Sequence, residues 1–235
     1  PFIGGGDFIN GNVRYCLWLK DAPLNEIRHI PFIQERIERV KNFRLASTKA
    51  RTRHWANFPT LFSEDRQPST RYLMFPKVSS ERRTYIPFAY VEPEFIINNT
   101  ASFIPDASLY LFGILESKMH MAWMSYVCGR MKSDFIYSNK IVYNNYPWPE
   151  NVSEKQTKAV EKAVEGVLSA RKEFPSYSLA DLYDPLTMPP VLVKAHQELD
   201  KAVDLCYRPL PFNNAAKRIE FLFELYEKYT ADLFT

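Results

Sequence analysis

An α+β fold is what the sequence predicts: a mixed α/β region of short strands with one long buried helix over residues 1–150, then a small all-α helical bundle over residues 151–235. Three observations carry this expectation. Two β-type runs, Arg71 to Val78 and Thr84 to Val91, lie either side of a short polar stretch. From Asp106 to Gly129 the residues Leu109, Phe112, Leu115, Met119, Ala122 and Trp123 recur at helical spacing. After Pro147-Trp148-Pro149 the pattern turns helical throughout, and capping signals recur.

In chain order, the Gly-rich opening and Asp7 to Asn12 read as turns, and Val13 to Lys20, which alternates apolar and polar residues, reads as a strand. Pro31 to Ala46 carries Ile33, Ile37 and Val40 on one helical face. The runs 71–78 and 84–91 form a hairpin whose basic tip is Ser79-Ser80-Glu81-Arg82-Arg83. Asp106, after Pro105, is the expected cap of the long helix, and Gly129 its stop; residues 132 to 145 read as extended. Ser153 and Gln156 form a capping box for a helix with Val160, Ala163, Val164, Val167 and Leu168 on one face. Pro189-Pro190 opens a second helix that Pro209 closes, and Asn213 or Asn214 caps a third, with Ile219, Leu222, Phe223 and Tyr226.

With 235 residues, 46% of them hydrophobic, the chain can fill a packed core, which excludes disorder. Charged residues at 24%, with 7 Gly and 17 Pro in no period, exclude collagen, rod and low-complexity classes. No apolar run approaches the roughly 18 residues of a membrane span, and no basic-then-apolar leader opens the chain. A soluble, cytoplasmic protein is expected. Cys16, Cys128 and Cys206 are odd in number and far apart, which argues against a disulfide framework or a zinc knuckle.

The net charge of +3 hides an asymmetry. Residues 28 to 83 hold thirteen Lys or Arg against five acids, a balance of +8, and the rest of the chain sums to −5. Such a tract suits a polyanion, because each cation that meets a phosphate releases a condensed counterion; a merely solvated surface is the alternative. Residues 151 to 235 carry eleven basic and thirteen acidic side chains.

Candidate chemistry is sparse. Gly4-Gly5-Gly6 has the composition of an S-adenosylmethionine loop but lacks, on this reading, the following helix that such a loop requires. Pro105-Asp106 followed by Glu116-Ser117-Lys118 matches the letters of the PD-(D/E)xK nuclease pattern, yet that chemistry needs neighbouring strands and this stretch has helical period. His29, His54, His120 and His196 form no metal-ligand spacing, and His120 is expected as a hydrogen-bonded core residue. Neither a GxSxG elbow nor a Walker loop is present, so neither a catalytic residue nor a metal site is expected.

Several runs carry a resemblance. They are Arg14-Tyr15-Cys16-Leu17-Trp18-Leu19, Pro76-Lys77-Val78-Ser79-Ser80-Glu81-Arg82-Arg83, Met119-His120-Met121-Ala122-Trp123-Met124, Cys128-Gly129-Arg130-Met131-Lys132-Ser133-Asp134-Phe135 and Ile141-Val142-Tyr143-Asn144-Asn145-Tyr146-Pro147-Trp148-Pro149. Beyond residue 150, Ala195 to Asp204 and Leu222 to Glu227 continue the likeness. Together they resemble the target recognition and C-terminal helical domains of MmeI-like restriction-modification methyltransferases. The resemblance implies a DNA target recognition domain over 1–150 and a helical domain over 151–235 of a longer, adenine-specific, S-adenosylmethionine-dependent enzyme. The (D/N)PPY catalytic motif of such enzymes is absent here. A fragment that binds double-stranded DNA, takes no cofactor itself and works beside an N-terminal methyltransferase domain of the same polypeptide is therefore expected. A module that only docks on a separate methyltransferase or nuclease subunit is the competing reading.

The resemblance places base readout on the loop at Asn98-Asn99-Thr100, on Lys77, and on the segment Lys132 to Tyr137. Within that segment Lys132, Asp134 and Ile136 would share one face of an extended strand, about 6.5 to 7 Å apart. A lysine donates to guanine's major-groove acceptors and an aspartate accepts from cytosine's amine, so the pair complements one G·C pair. An exposed Lys and Asp compensating each other on a turn is the alternative. Lys49, Arg51, Arg53, Ser79, Ser80, Arg82, Arg83 and Arg130 are expected at phosphates. Trp18, Trp55 and Trp123 are expected in the core.

Overall fold

A computed structural model describes residues 1–231. The elements run β1 (Phe2–Ile3), α1 (Gly5–Asn10), α2 (Leu24–Ile27), α3 (Pro31–Leu45), α4 (Ala50–His54), β2 (Tyr72–Pro76), β3 (Val78–Ser79), β4 (Ala89–Val91), β5 (Ile96–Ile97), β6 (Ala101–Pro105), α5 (Leu109–Leu115), α6 (Lys118–Val127), β7 (Gly129–Met131), β8 (Asp134–Ile136), α7 (Glu154–Lys172), α8 (Leu179–Leu182), α9 (Pro190–Tyr207) and α10 (Ala215–Thr230). Residues 1–14 with 68–235 make one compact unit, and residues 15–67 make another. Of the expected C-terminal segment, residues 232–235 lie outside the described residues.

The larger unit holds three small sheets: parallel β1-β5, antiparallel β4-β2-β6, and antiparallel β3-β8-β7. The expected hairpin exists, with Tyr72 opposite Val91 and Met74 opposite Ala89, but its connection is long. Within that connection β3 leaves to pair with β8, and Thr84 to Phe88 is no strand. Pro87 has no N–H for a ladder, and Phe88 donates its N–H to the Glu116 carboxylate instead (3.4 Å).

The single long helix expected from Asp106 to Gly129 is two helices, α5 and α6, broken at Glu116-Ser117. Each starts on its own serine. Ser108 Oγ accepts from Leu111 N (3.1 Å) and Ser117 Oγ from His120 N (3.3 Å). Asp106 has φ +51°, so it turns the chain out of β6 and is not the cap. Gly129 opens β7 and does not end a helix. The expected strand at Val13 to Lys20 reduces to one bridge, Arg14 to Phe2, because no other strand offers the segment a ladder. Asp7 to Asn10, read as turn, belongs to α1, where Asp7 accepts from Gly4 N (2.8 Å). After β8 the chain closes as a π-type turn, Asn139–Tyr143, where extension was expected.

The three long C-terminal helices start where their caps predict. Ser153 and Gln156 exchange their bonds at α7 (3.3 and 2.9 Å), and Asn214 Oδ1 accepts from Lys217 N (2.9 Å) at α10. Their apolar faces join one core that runs across residue 150, in which Phe112, Ile114, Val160, Val164, Leu192, Leu199 and Leu222 are all fully buried. Gly113 is where α5 meets α7: a Cβ there would lie 2.5 Å from Val160 Cγ1. Of the tryptophans expected in the core, only Trp123 is buried, its Nε1–H donating to Val142 O (3.0 Å). Trp18 and Trp55 are half-buried, beside Phe62 and Phe58 respectively.

The two buried histidines of this core each meet a tyrosine hydroxyl, while His196 Nδ1 has no partner among the described residues. His120 faces the Tyr137 hydroxyl (3.0 Å), as a core histidine should, and His196 faces Tyr183 (2.8 Å) while stacking on Tyr85. Burial pushes His120 down to about 3 and His196 well below its ordinary range. Both stay neutral in the folded protein at pH values where the unfolded chain would protonate them, so stability falls as pH drops below about 6.5. Glu116, which burial lifts to about 7 against the pull of Arg171, acts in the opposite sense between its ordinary value and 7. The two imidazoles outweigh the single Glu116 carboxyl between pH 6.5 and 5, so stability falls on acidification across that window. Denaturant titrations at pH 7, 6 and 5 should show that slope; a flat or rising stability toward pH 5 would refute it.

Candidate nucleic-acid interface

The sheet β3-β8-β7 with its tip carries Lys132, Asp134 and Ile136, expected at bases, and Ser79 and Arg130, expected at phosphates. β7 and β8 form a hairpin with Met131 opposite Asp134, so Lys132 and Ser133 are its two-residue connection. Lys132 has φ +57° and Ser133 does not share that sign, the φ pattern of a type II′ turn. Lys132 thus sits on the hairpin tip, fully presented, and not on the strand face with Asp134 and Ile136. Those two do share a face, both half-buried, while Phe135 between them is buried on the other side. The turn placement was the alternative reading of the Lys/Asp pair. Glycine or asparagine usually marks such a turn, and neither stands at 132 or 133, which is why the sequence read as one extended run.

Arg130 braces this hairpin. It lies opposite Phe135, its guanidinium 4.2 Å above the ring, and it donates to Ser133 O (2.9 Å) and Ser125 O (3.3 Å) with Glu81 3.8 Å away. A guanidinium so engaged is a support for the tip more than a ready phosphate contact. Ser79 is also turned inward. It is 3% exposed opposite Phe135, and its Oγ has no hydrogen-bond partner among the described residues. Ser80 accepts from Arg82 N (3.3 Å), and Arg82 lies exposed, 3.8 Å from Asp184. Arg83 is half-buried; burial pulls its pKa down, while the carboxylates of Asp184 and Asp134 act against that pull. Arg83 and Asp134 thus stand near enough to feel each other's charge, without an ion pair between them among the described residues.

Lys77 joins the two expected readout segments through its backbone. Its N–H donates to Thr100 O (3.1 Å) and its C=O accepts from Tyr137 N (2.8 Å). The loop itself is tightly held. Asn98 Oδ1 accepts from Thr100 N (2.8 Å) and from the Thr100 hydroxyl (2.6 Å), and Thr100 Oγ1 accepts from Gly5 N (2.8 Å). Asn99 is exposed at its tip. The glycines at 4 and 5 are explained by this approach: a Cβ at Gly4 would lie 2.4 Å from Asn98 Nδ2, and one at Gly5 2.6 Å from Thr100 O. A strand and a helix do flank Gly4-Gly5, contrary to the turn expected, and the two glycines let Asn98 and Thr100 approach the backbone there.

Residues 15–67 present the other cations. Lys49, at the N-cap of α4, and Arg51 on it are exposed, Arg51 3.6 Å from an exposed Glu64, a pair worth little in water. Arg53 is anchored to Ser47 O (2.9 Å) and Thr48 O (2.8 Å). The nuclease-like letters are dispersed: Glu116 is buried against Arg171, Lys118 pairs with Asp200 (3.3 Å), and Asp106 is exposed at the end of β6. Among the described residues no three His, Cys, Asp or Glu side chains stand close enough to hold a metal ion, and no helix is long and apolar enough to cross a membrane.

A polar hairpin held rigid from behind, a braced polar loop beside it and a cation-bearing helical unit define a recognition module of α+β class. The chain belongs to the MmeI family: residues 1–150 match the MmeI target recognition domain and residues 152–234 the MmeI C-terminal domain. It is 42% identical over 229 residues to DNA methyltransferase A of Bacillus subtilis (strain 168), covering 97% of this chain and 26% of that protein. It also superposes on the type IIL restriction-modification enzyme MmeI, solved in complex with DNA, with a TM-score of 0.95 and 47% identity over 98% of this chain and 31% of that one. The chain thus spans about a quarter to a third of the length of these relatives.

Proposed function

We propose that this chain reads a specific sequence in double-stranded DNA for a restriction-modification methyltransferase that modifies the exocyclic amine of adenine. The chemistry and the S-adenosylmethionine site belong to an N-terminal methyltransferase domain of the same polypeptide, and the whole works in the cytoplasm. The observation that carries this reading is the braced hairpin, with Lys132 at its tip and Asp134 beside it, in a chain so similar to a DNA-bound MmeI. Base readout falls to Lys132, Asp134, Ile136, Asn99, Thr100 and Lys77. Phosphates fall to Lys49, Arg51, Arg53, Ser80, Arg82 and Arg83, with Ser79 and Arg130 acting from behind the tip. Residues 151–235 serve as architecture and clamp.

Methylation mapping of DNA from cells making the full polypeptide tests this. Lys132→Glu with Asp134→Arg exchanges donor and acceptor, and is expected to convert one position of the recognition sequence from G to C, with about 1 to 3 kcal/mol of discrimination per contact. Asp134→Arg alone should do worse, since it meets Arg83 with a like charge. An unchanged recognition sequence in the double variant would refute the readout. Charge reversal at Arg51 and Arg53 should instead weaken binding to all sequences alike and flatten its salt dependence.

A further inference from the structure

We infer that the apolar groove of the 15–67 unit seats another part of the same longer polypeptide, through a surface that is apolar at its centre and acidic at its edge. The inference rests on the reading of this chain as part of a longer protein. The groove, of about 670 Å³, lies between α3, the segment Tyr15 to Leu19 and the segment Pro59 to Phe62. Helix α3 has 15 residues and buries none of them. Phe32, Arg36, Val40 and Phe43 follow one another along its groove side, and Phe43 is 78% exposed, Phe32 54%. Of nineteen large hydrophobics exposed among the described residues, nine lie in this unit of 53 residues. A patch so dense marks a contact surface, since scattered exposure would need no explanation.

Its chemistry selects the occupant. Phosphates would find aromatic rings here, whereas the cations presented for them, Lys49 and Arg51, stand at α4 outside the groove. The groove's own cations are Arg36, stacked 4.1 Å over Phe32, Arg39, 3.4 Å from Glu35, and Arg44, which donates to the Trp55, Phe58 and Leu61 carbonyls, so the groove is an apolar floor with a guanidinium rim. A protein surface with a carboxylate rim complements that, and Arg is at home at such edges. A second copy of this chain would set Arg36 and Arg39 near their own equivalents, which like-charge repulsion disfavours. The rest of such a polypeptide offers room for the occupant, because 74% of one relative and 69% of the other lie outside the matched region.

The test uses the full polypeptide from its native gene, with a benzophenone amino acid at Phe43, irradiated with and without duplex DNA. The expected product joins position 43 to a peptide outside these 235 residues within one polypeptide, with or without DNA. Phe32→Glu, at an exposed position, should cut its yield about tenfold, since a carboxylate would then be buried in an apolar contact. A cross-link to DNA, a cross-link between isotopically distinct copies, or none at all would overturn the proposal. Methylation mapping of the same wild-type protein tests the recognition role separately, so failure of one is not failure of the other. A gene product no longer than these 235 residues would remove the premise and is read directly from its mass.

Discussion

A chain ending at Glu150 is expected not to fold its sheets. The apolar faces of α7, α9 and α10 are not a cover laid over a finished core. Val160, Val164, Val167, Leu192, Leu199, Val203 and Leu222 are all fully buried, in one cluster with Phe75, Phe112, Ile114 and Trp123. At about 1.5 to 3 kcal/mol each, these seven side chains supply about 10 kcal/mol or more, comparable to the whole stability of a typical domain. The polar contacts cut the same way: Arg171 donates to Phe88 O (2.7 Å), Tyr207 to Pro147 O (3.1 Å) and Tyr229 to Trp148 O (2.8 Å). The truncated chain should therefore lose its cooperative thermal transition for residues 68–150 and associate through its bared helices. Circular dichroism melts and sedimentation check this. A monomer melting as cooperatively as the intact chain would show that the helices are dispensable.

The legible elements were those whose cause is local. The capping box at Ser153 and Gln156, the Pro190 start of α9 and the Asn214 cap act within four residues, so sequence alone locates them. The break between α5 and α6 was local too, in the Ser117 cap, but the apolar period on both sides hid it. What escaped was decided by partners distant in sequence. β3 abandons its hairpin for β8, with Val78 pairing to Ile136, 58 residues on. Arg130 is the exception, its partners being near in sequence, yet it meets the Ser133 carbonyl and the Phe135 ring only because the chain turns at Lys132. His196, Asp200 and Asp204, one turn apart on α9, face inward because Tyr183, Tyr85 and Arg218 wait there. No amphipathic reading of α9 would place them inside. The segment 132–136, proposed for readout, could be singled out in the sequence, but its hairpin shape could not.

Removing Arg171 should destabilise the protein by about 3 to 5 kcal/mol, the cost of breaking a buried ion pair from one side. Its guanidinium meets the Glu116 carboxylate and the Tyr183 hydroxyl, and reaches Phe88 O at 2.7 Å; the Arg171 and Glu116 side chains are 9% and 0% exposed. Glu116 Oε2 has no partner among the described residues, so the carboxylate depends on Arg171 for compensation. In Arg171→Met that carboxyl would rise further above its ordinary value and remain protonated when folded. A group whose folded pKa is raised stabilises the protein below its unfolded value and loses that contribution as pH climbs through the folded one. The variant should thus be hurt most at pH 8 and least near pH 5, while the acid sensitivity from the buried histidines is shared with the parent chain. Adding Glu116→Gln removes the stranded charge, so the double variant should be more stable at pH 8 than Arg171→Met alone, a coupling of roughly 2 kcal/mol or more in a double-mutant cycle. Additive losses, or a penalty for Arg171→Met independent of pH, would mean that Arg171 acts through packing on Phe112 and Tyr183 and not through its charge.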